Sequence, residues 1–149
     1  MKIFVGIILL TLAIFLGGIF LFSEKGTTIP DEQILSRNGL HWHPKLTIYI
    51  KGVKQEIPEG IGLSPIEQPI HTHDVTGTIH IEFAGLVKKE DLKLGQFFKI
   101  WGKQFNSNCI FDKCNGPEGK VKMLVNGREN QEFENYSMRD GDTIEIRYE

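Results

Sequence analysis

The sequence has no excess of basic residues. Its 149 residues include 17 lysines and arginines against 19 aspartates and glutamates, which gives a formal net charge of −2 with neutral histidines. A nucleic-acid-binding surface needs a clustered basic patch, so we expect no nucleic-acid partner. The chain also lacks internal repeats and low-complexity segments, and its length fits one domain plus an anchor.

The sequence has only two cysteines, Cys109 and Cys114, and no C-x-x-C motif. Their spacing is not that of a thioredoxin-type redox site, and the loop between them has no pattern of basic residues that would activate a thiolate. Outside the cytoplasm, two nearby cysteines most often form a disulfide. We therefore expect a structural disulfide, with metal ligation and redox exchange as the alternatives.

Two signatures of metal-dependent proteins are also missing. No H-E-x-x-H motif occurs, so the pattern does not predict that class of zinc hydrolase. The three methionines form no Met-rich pattern, which disfavours the handling of Cu⁺.

A long run without charge stands near the N-terminus. Lys2 is followed by twenty uncharged residues, 3–22, enough to span the bilayer core as a helix. A cleaved signal peptide is the alternative, but no A-x-A-like site follows and no cysteine is present for a lipid anchor. We expect a single-pass anchor in the cytoplasmic membrane over residues 1–22 with its basic end inside. A tether, residues 23–40, and an extracytoplasmic domain, residues 41–149, would follow outside.

The predicted domain combines short strands with one helix. Apolar and polar residues alternate over residues 46–51, 78–83 and 143–148, as in half-buried strands, and residues 121–125 form a further strand. Asn126-Gly127 is a strong hairpin signal. Apolar residues at the spacing i, i+3, i+4, i+7 predict a helix with one apolar face that packs into the core, and a glycine, Gly102, follows as its C-terminal cap. These residues are Leu94, Phe97, Phe98 and Trp101. The fold class is therefore α+β, a small mixed sheet with one packed aromatic helix.

Residues 70–83 hold three of the five histidines and predict a β-hairpin with its turn at residues 74–77. With that turn, His71 faces His80 and His73 faces Thr78, at roughly 4.5–5.5 Å between Cβ atoms. Alternate residues share a face. The face turned away from the core would carry a set of possible metal ligands: His71, His73, His80 and Glu82.

The other two histidines, His41 and His43, stand two residues apart before Pro44. The proline disfavours the α conformation of His43, so both imidazoles should point the same way. Neutral imidazole is a good ligand for Zn²⁺, Cu²⁺ and Ni²⁺. The expected principal ligands are His71, His73 and His80, with His41 and His43 as additions and Asp74 or Glu82 as a carboxylate ligand or orienting partner.

Three functions are compatible with this pattern. The favoured one is a membrane-anchored module that binds Zn²⁺ or Cu²⁺ and has no catalytic residue. The second is a metal-dependent enzyme with an open three-histidine site and a metal-activated water. The third is a structural or partner-binding domain of an envelope complex, in which the histidines are packed and hydrogen-bonded. A metal-free, pH-sensing histidine cluster is a further alternative, and no protein partner is indicated.

Several motifs occur together: His41-Trp42-His43-Pro44, His71-Thr72-His73-Asp74, Gly77-Thr78-Ile79-His80-Ile81-Glu82, Leu94-Gly95-Gln96-Phe97-Phe98 and Trp101-Gly102. The combination resembles a family of N-terminally membrane-anchored prokaryotic proteins of unknown function, over nearly all of the exported part. This resemblance implies a grouping and no mechanism. Residues 121–148 resemble the end of a β-grasp (ubiquitin-like) domain. The sulfur-carrier members of that group end in Gly-Gly, whereas this chain ends in Tyr148-Glu149, so their activity is not implied.

Overall fold

The computed structural model describes residues 29–149. The expected anchor, residues 1–22, and the first part of the expected tether, residues 23–28, lie outside the described residues. Within residues 29–149, no helix is both long enough and apolar enough to cross a membrane.

The described part of the chain contains twelve short strands and one α-helix. In chain order the strands are β1 (Ile34–Ser36), β2 (Leu40–Trp42), β3 (Lys45–Ile50), β4 (Val53–Gln55), β5 (Ile70–His71), β6 (His80–Phe83), β7 (Val87–Lys88), β8 (Cys109–Ile110), β9 (Lys113–Cys114), β10 (Val121–Val125), β11 (Arg128–Glu129) and β12 (Thr143–Tyr148). The helix, α1 (Leu94–Trp101), lies between β7 and β8, and short 3-10 turns occur at Asp31–Gln33, Lys89–Leu92 and Phe133–Asn135. The α+β class is confirmed.

A five-stranded sheet forms the centre of the fold, in the order β11-β10-β12-β3-β4. The central strands β12 and β3 are parallel, and the other pairs are antiparallel. Leu46 and Ile48 of β3 lie beside Ile144 and Ile146 of β12, and all four are buried. The alternation of apolar residues therefore predicted one core-facing side of each strand correctly.

Helix α1 packs its aromatic stripe into the core. Leu94, Phe97 and Phe98 are buried and Trp101 is half-buried. Gly102 ends the helix in the left-handed conformation, with φ 70°, as a C-terminal glycine commonly does. The helix begins at Leu94 rather than at Leu92, because Lys89–Leu92 forms a 3-10 turn. The predicted packing role of the stripe is confirmed.

A second sheet has three antiparallel strands in the order β2-β6-β5. The chain leaves this sheet after β2 and enters the central sheet at β3 through His43-Pro44. The Ile79 N–H donates to the Pro44 carbonyl at 2.9 Å, and Lys45 bridges to Thr78. We call this place, where residues 43–45 and 77–79 join the two sheets, the sheet junction.

The second half of the expected tether belongs to the folded domain. Strand β1 pairs with β7, with Ile34 opposite Lys88 and Ser36 opposite Val87. The short helix expected after Pro30 is a single 3-10 turn, Asp31–Gln33. The fold therefore extends N-terminally of His41, because β7 offers a partner that no local pattern in residues 23–40 indicates.

The two cysteines face each other across a small hairpin. Cys109 in β8 lies opposite Cys114 in β9, and their Sγ atoms are 2.04 Å apart. This is the expected disulfide pair. Because each sulfur is bonded to the other, neither offers a thiolate to a metal.

Candidate metal centre

All five histidines of the chain gather beside the sheet junction. Together with Glu82 they form two overlapping groups. Each residue contributes one ring nitrogen or carboxylate oxygen, and within each group these atoms all lie within 4.8 Å of one another. The first group is His71, His73, His80 and Glu82, and the second is His41, His43 and His80. Zinc–nitrogen bonds are about 2.0–2.1 Å long, so donors at such separations can surround one ion after small side-chain movements. These groups could hold a metal.

Strand β6 carries two of these side chains on one face. His80 and Glu82 are two residues apart and so project to the same side. His71 of β5 lies opposite His80, and His41 of β2 lies opposite Glu82. The predicted register of His71 against His80 is confirmed. The neighbouring strand β2 then adds His41 to the same face.

The hairpin end differs from the expectation that His73 faces Thr78. Thr78 instead bridges to Lys45, and the Gly77 carbonyl accepts from the Leu46 N–H at 2.8 Å. Gly77 has φ 84°, and a Cβ at this position would stand 2.3 Å from the Leu46 carbonyl oxygen. Only glycine allows this approach. The hairpin end is thereby tied to the central sheet, and β6 begins at His80 rather than at Thr78.

His73 nevertheless reaches the cluster from beyond the end of β5. Its Nε2 lies 3.0 Å from Nε2 of His71, and its ring centroid lies 4.5 Å from that of His80. His73 is exposed, whereas His71 is buried. The two residues of this His-x-His pair therefore occupy opposite environments while their nitrogens meet.

Asp74 is in neither group. Its Oδ1 accepts from the Thr76 N–H at 2.8 Å and from the Thr76 hydroxyl at 2.5 Å. These hydrogen bonds hold the pKa of Asp74 below its ordinary value. Of the two candidate carboxylates, Asp74 closes the turn and Glu82 joins the histidines.

His71 is 0 % exposed, which contradicts our expectation that its face of the hairpin lies outside the core. The loop over residues 57–69 folds back onto β5 and covers the imidazole. The Thr72 N–H donates to the Ile61 carbonyl at 3.0 Å, and a Cβ at Gly62 would lie 3.2 Å from that of His71. Strand periodicity predicts which way a side chain points, but a covering loop leaves no such pattern.

A hydrogen bond to a backbone carbonyl determines the tautomer of His71. Its Nδ1 lies 2.9 Å from the Gln68 carbonyl oxygen. A carbonyl can only accept, so Nδ1 carries the proton and the neutral ring keeps its lone pair on Nε2. A backbone carbonyl on the far nitrogen is how many metal-binding histidines are oriented. The lone pair of His71 points toward His73.

No family model, curated protein or solved structure matches this chain.

Carboxylates border the imidazoles on both sides. Glu82 Oε1 lies 2.9 Å from His41 Nε2 and 3.6 Å from His80 Nδ1. Glu67 Oε1 lies 3.8 Å from the buried Nε2 of His71. These negative charges would offset part of the charge of a bound cation.

His80 stands in the middle of the cluster. Burial lowers its pKa below the ordinary value, repulsion from the other imidazoles at positions 73, 43 and 71 lowers the pKa further, and Glu82 opposes this. His80 therefore keeps its neutral form, which can bind a metal, to lower pH than an ordinary histidine does.

Asp140 is a residue that the sequence did not single out for the site. Its Oδ1 accepts from the backbone N–H of His43 at 2.8 Å and lies 4.0 Å from His43 Nδ1. Asp140 belongs to the turn before β12, which reaches His43 because β12 pairs with β3. The only local signal was the turn sequence Asp140-Gly141-Asp142. Gln68 and Glu67 were missed because they lie in an irregular loop.

An open groove of about 510 Å³ runs beside the cluster. Leu40, Phe83 and Pro69 give it apolar walls, and His41 and Glu82 line it as well. A ligand in this groove would touch two of the candidate metal-binding side chains.

Proposed function

We propose that this chain binds a divalent transition-metal ion, Zn²⁺ or Cu²⁺, as a non-enzymatic module. The observation that carries the proposal is the group His71, His73, His80 and Glu82, whose ligand atoms lie within 4.8 Å of one another. Nitrogen and carboxylate donors of this kind suit both ions. The carbonyl of Gln68, which directs the lone pair of His71 into the group, gives further support.

The grouping of imidazoles favours metal binding over a purely structural role. Rings of His43, His71 and His73 surround His80 at centroid distances of 4.8, 5.6 and 4.5 Å. Protonated rings at these distances repel one another, whereas neutral rings offer several lone pairs to one cation. His41, His43 and His73 are exposed, so the core does not need them for packing.

A metal-dependent enzyme is the second candidate. The groove beside His41 and Glu82 supports it, because a small substrate lying there would be next to the metal. An ion held by three protein ligands keeps a position for water. Glu82 would then act as the general base rather than as a ligand.

We also propose the location and relationships of the chain. The uncharged run at residues 3–22 supports a membrane anchor with the domain outside the cytoplasm. The histidine and aromatic motifs support membership of the anchored prokaryotic family. The order β11-β10-β12-β3-β4, with a parallel central pair and a packed helix, supports a β-grasp-like core.

The test is metal analysis of the full chain, purified in mild detergent through a tag without histidine and without chelator. At least one equivalent of Zn or Cu is expected by mass spectrometry. The double substitution His73→Ala with His80→Ala should remove it, and Asp74→Asn on the same hairpin is the matched control. A metal-free protein with no thermal shift on addition of Zn²⁺, Cu²⁺ or Ni²⁺ would leave the structural or partner-binding domain as the better explanation.

A further inference from the structure

We infer that the cluster holds two metal ions side by side. The inner position lies at His71 and His73, and the outer position lies at His41 and His43. His80 and Glu82 stand between the two pairs. This inference rests on the proposed metal binding and adds a second ion to it.

The number of donors exceeds what one ion uses. The two groups together contain six different residues and have only His80 in common. Zn²⁺ in proteins is almost always four-coordinate in closed sites. An ion bound by the first group therefore leaves His41 and His43 without a role. Yet these two residues form a second group with His80, in which the nitrogens are close enough together to bind an ion.

The rings form a row across the three-stranded sheet. Consecutive centroids are 4.7 Å apart from His71 to His73, 4.5 Å from His73 to His80, 4.8 Å from His80 to His43 and 4.6 Å from His43 to His41. Strands β5 and β2 flank β6 on opposite sides, so they lie roughly 10 Å apart at ordinary strand spacing. Such a row offers one position at each end.

Glu82 is placed to bridge the two positions. It belongs to the inner group, yet its Oε1 lies 2.9 Å from Nε2 of His41 in the outer pair. A carboxylate has two oxygens, and ions in two-metal sites stand about 3.5–4 Å apart. With His80 on the outer ion and one oxygen of Glu82 on the inner ion, each ion has three protein ligands, and the second oxygen of Glu82 would bridge to the outer ion.

The two positions differ in how firmly they are built. The inner pair includes His71, which is 0 % exposed and oriented by Gln68. The outer pair includes His41, whose side chain is 61 % exposed. It also includes His43, whose backbone N–H, rather than its ring, donates to Asp140. A side chain that is already oriented before binding loses less conformational freedom when the ion binds, so the ion is bound more tightly. The inner position should therefore fill first and exchange more slowly.

The experiment uses the full chain in detergent, stripped of metal with a chelator that is then removed. The chain is titrated with Zn²⁺ in a calorimeter, and the bound metal is measured by metal analysis. The wild-type chain should bind two equivalents in two steps. His41→Ala with His43→Ala should bind one equivalent with the affinity of the tighter step, and His73→Ala should lose that tighter step. Asp74→Asn is again the matched control and should keep both.

Electron paramagnetic resonance of the Cu²⁺-loaded chain tests whether the two ions are neighbours. Two ions a few ångströms apart should show magnetic coupling, which His41→Ala with His43→Ala should abolish. One equivalent in the wild type, or two without coupling, would overturn the inference and leave single-site binding intact. Absence of any bound metal would overturn the proposed function together with the inference.

Discussion

His71 and His73 are two residues apart in one motif, but their replacement by alanine should have very different consequences for the metal-free fold. His71 is buried and bonded to the Gln68 carbonyl, whereas His73 is exposed. His71→Ala would leave a cavity under the loop and remove the hydrogen bond to the Gln68 carbonyl. Large-to-small core replacements cost roughly 2–5 kcal/mol and the loss of one hydrogen bond about 0.5–1.5 kcal/mol, without strict additivity. We expect a loss of about 3 kcal/mol.

His73→Ala removes an exposed ring and the 3.0 Å contact with Nε2 of His71. Its expected cost is about 1 kcal/mol, the typical worth of one hydrogen bond. Metal affinity should fall in both variants, because each loses a nitrogen donor.

Urea unfolding of residues 29–149 in excess chelator separates the two effects. Fluorescence of Trp42 and Trp101 reports the transition. With slopes of roughly 1–3 kcal/mol per molar urea, a loss of about 3 kcal/mol lowers the midpoint by 1 M or more. Equal midpoints for the His71→Ala and His73→Ala variants would refute the reasoning, because the contacts of buried His71 with the covering loop would then add nothing to the free energy of unfolding.

Three further predictions concern the turn, the central histidine and the disulfide. Asp74→Asn should retain metal, since an amide oxygen still accepts from Thr76; loss of metal would make Asp74 a ligand. The pKa of His80 is lowered in the folded chain, so the unfolded chain binds more protons and metal-free stability should fall as pH drops below about 6.5. His80→Gln should reduce this fall in pH-dependent denaturation, and an unchanged profile would contradict it. Cys109→Ser with Cys114→Ser should cost about 2 kcal/mol by calorimetry, as for a short closed loop, whereas unchanged stability would exclude a structural role.

Local patterns predicted the elements that are local. Alternation placed β3 and β12, and the stripe from Leu94 to Trp101 with Gly102 after it placed the helix. The turn residues before Gly77 set the register that pairs His71 with His80. Each of these signals depends on residues a few positions apart, whose preferences survive in the fold because the core agrees with them.

What the sequence did not reveal depends on distant contacts. His43 and Asp140 are 97 residues apart, and no pattern relates them before β12 is known to lie beside β3. The burial of His71 depends on a loop without periodicity. The pairing of β1 with β7 likewise needed a partner about fifty residues away. Strand and helix periods describe faces, and they carry no information on which loop covers a face.

The parallel pairing of β12 with β3 has a consequence for the order of events during synthesis. Residues 143–148 must meet residues 45–50 before the central sheet exists, and closing such a long loop is slow. Until then His43 has no Asp140 to hold it, whereas the pairing of His71 with His80 needs only residues that are close in sequence. A chain still being synthesised would thus lack the contact that holds His43, and the place of His43 in the cluster would be fixed only after the last strand has emerged.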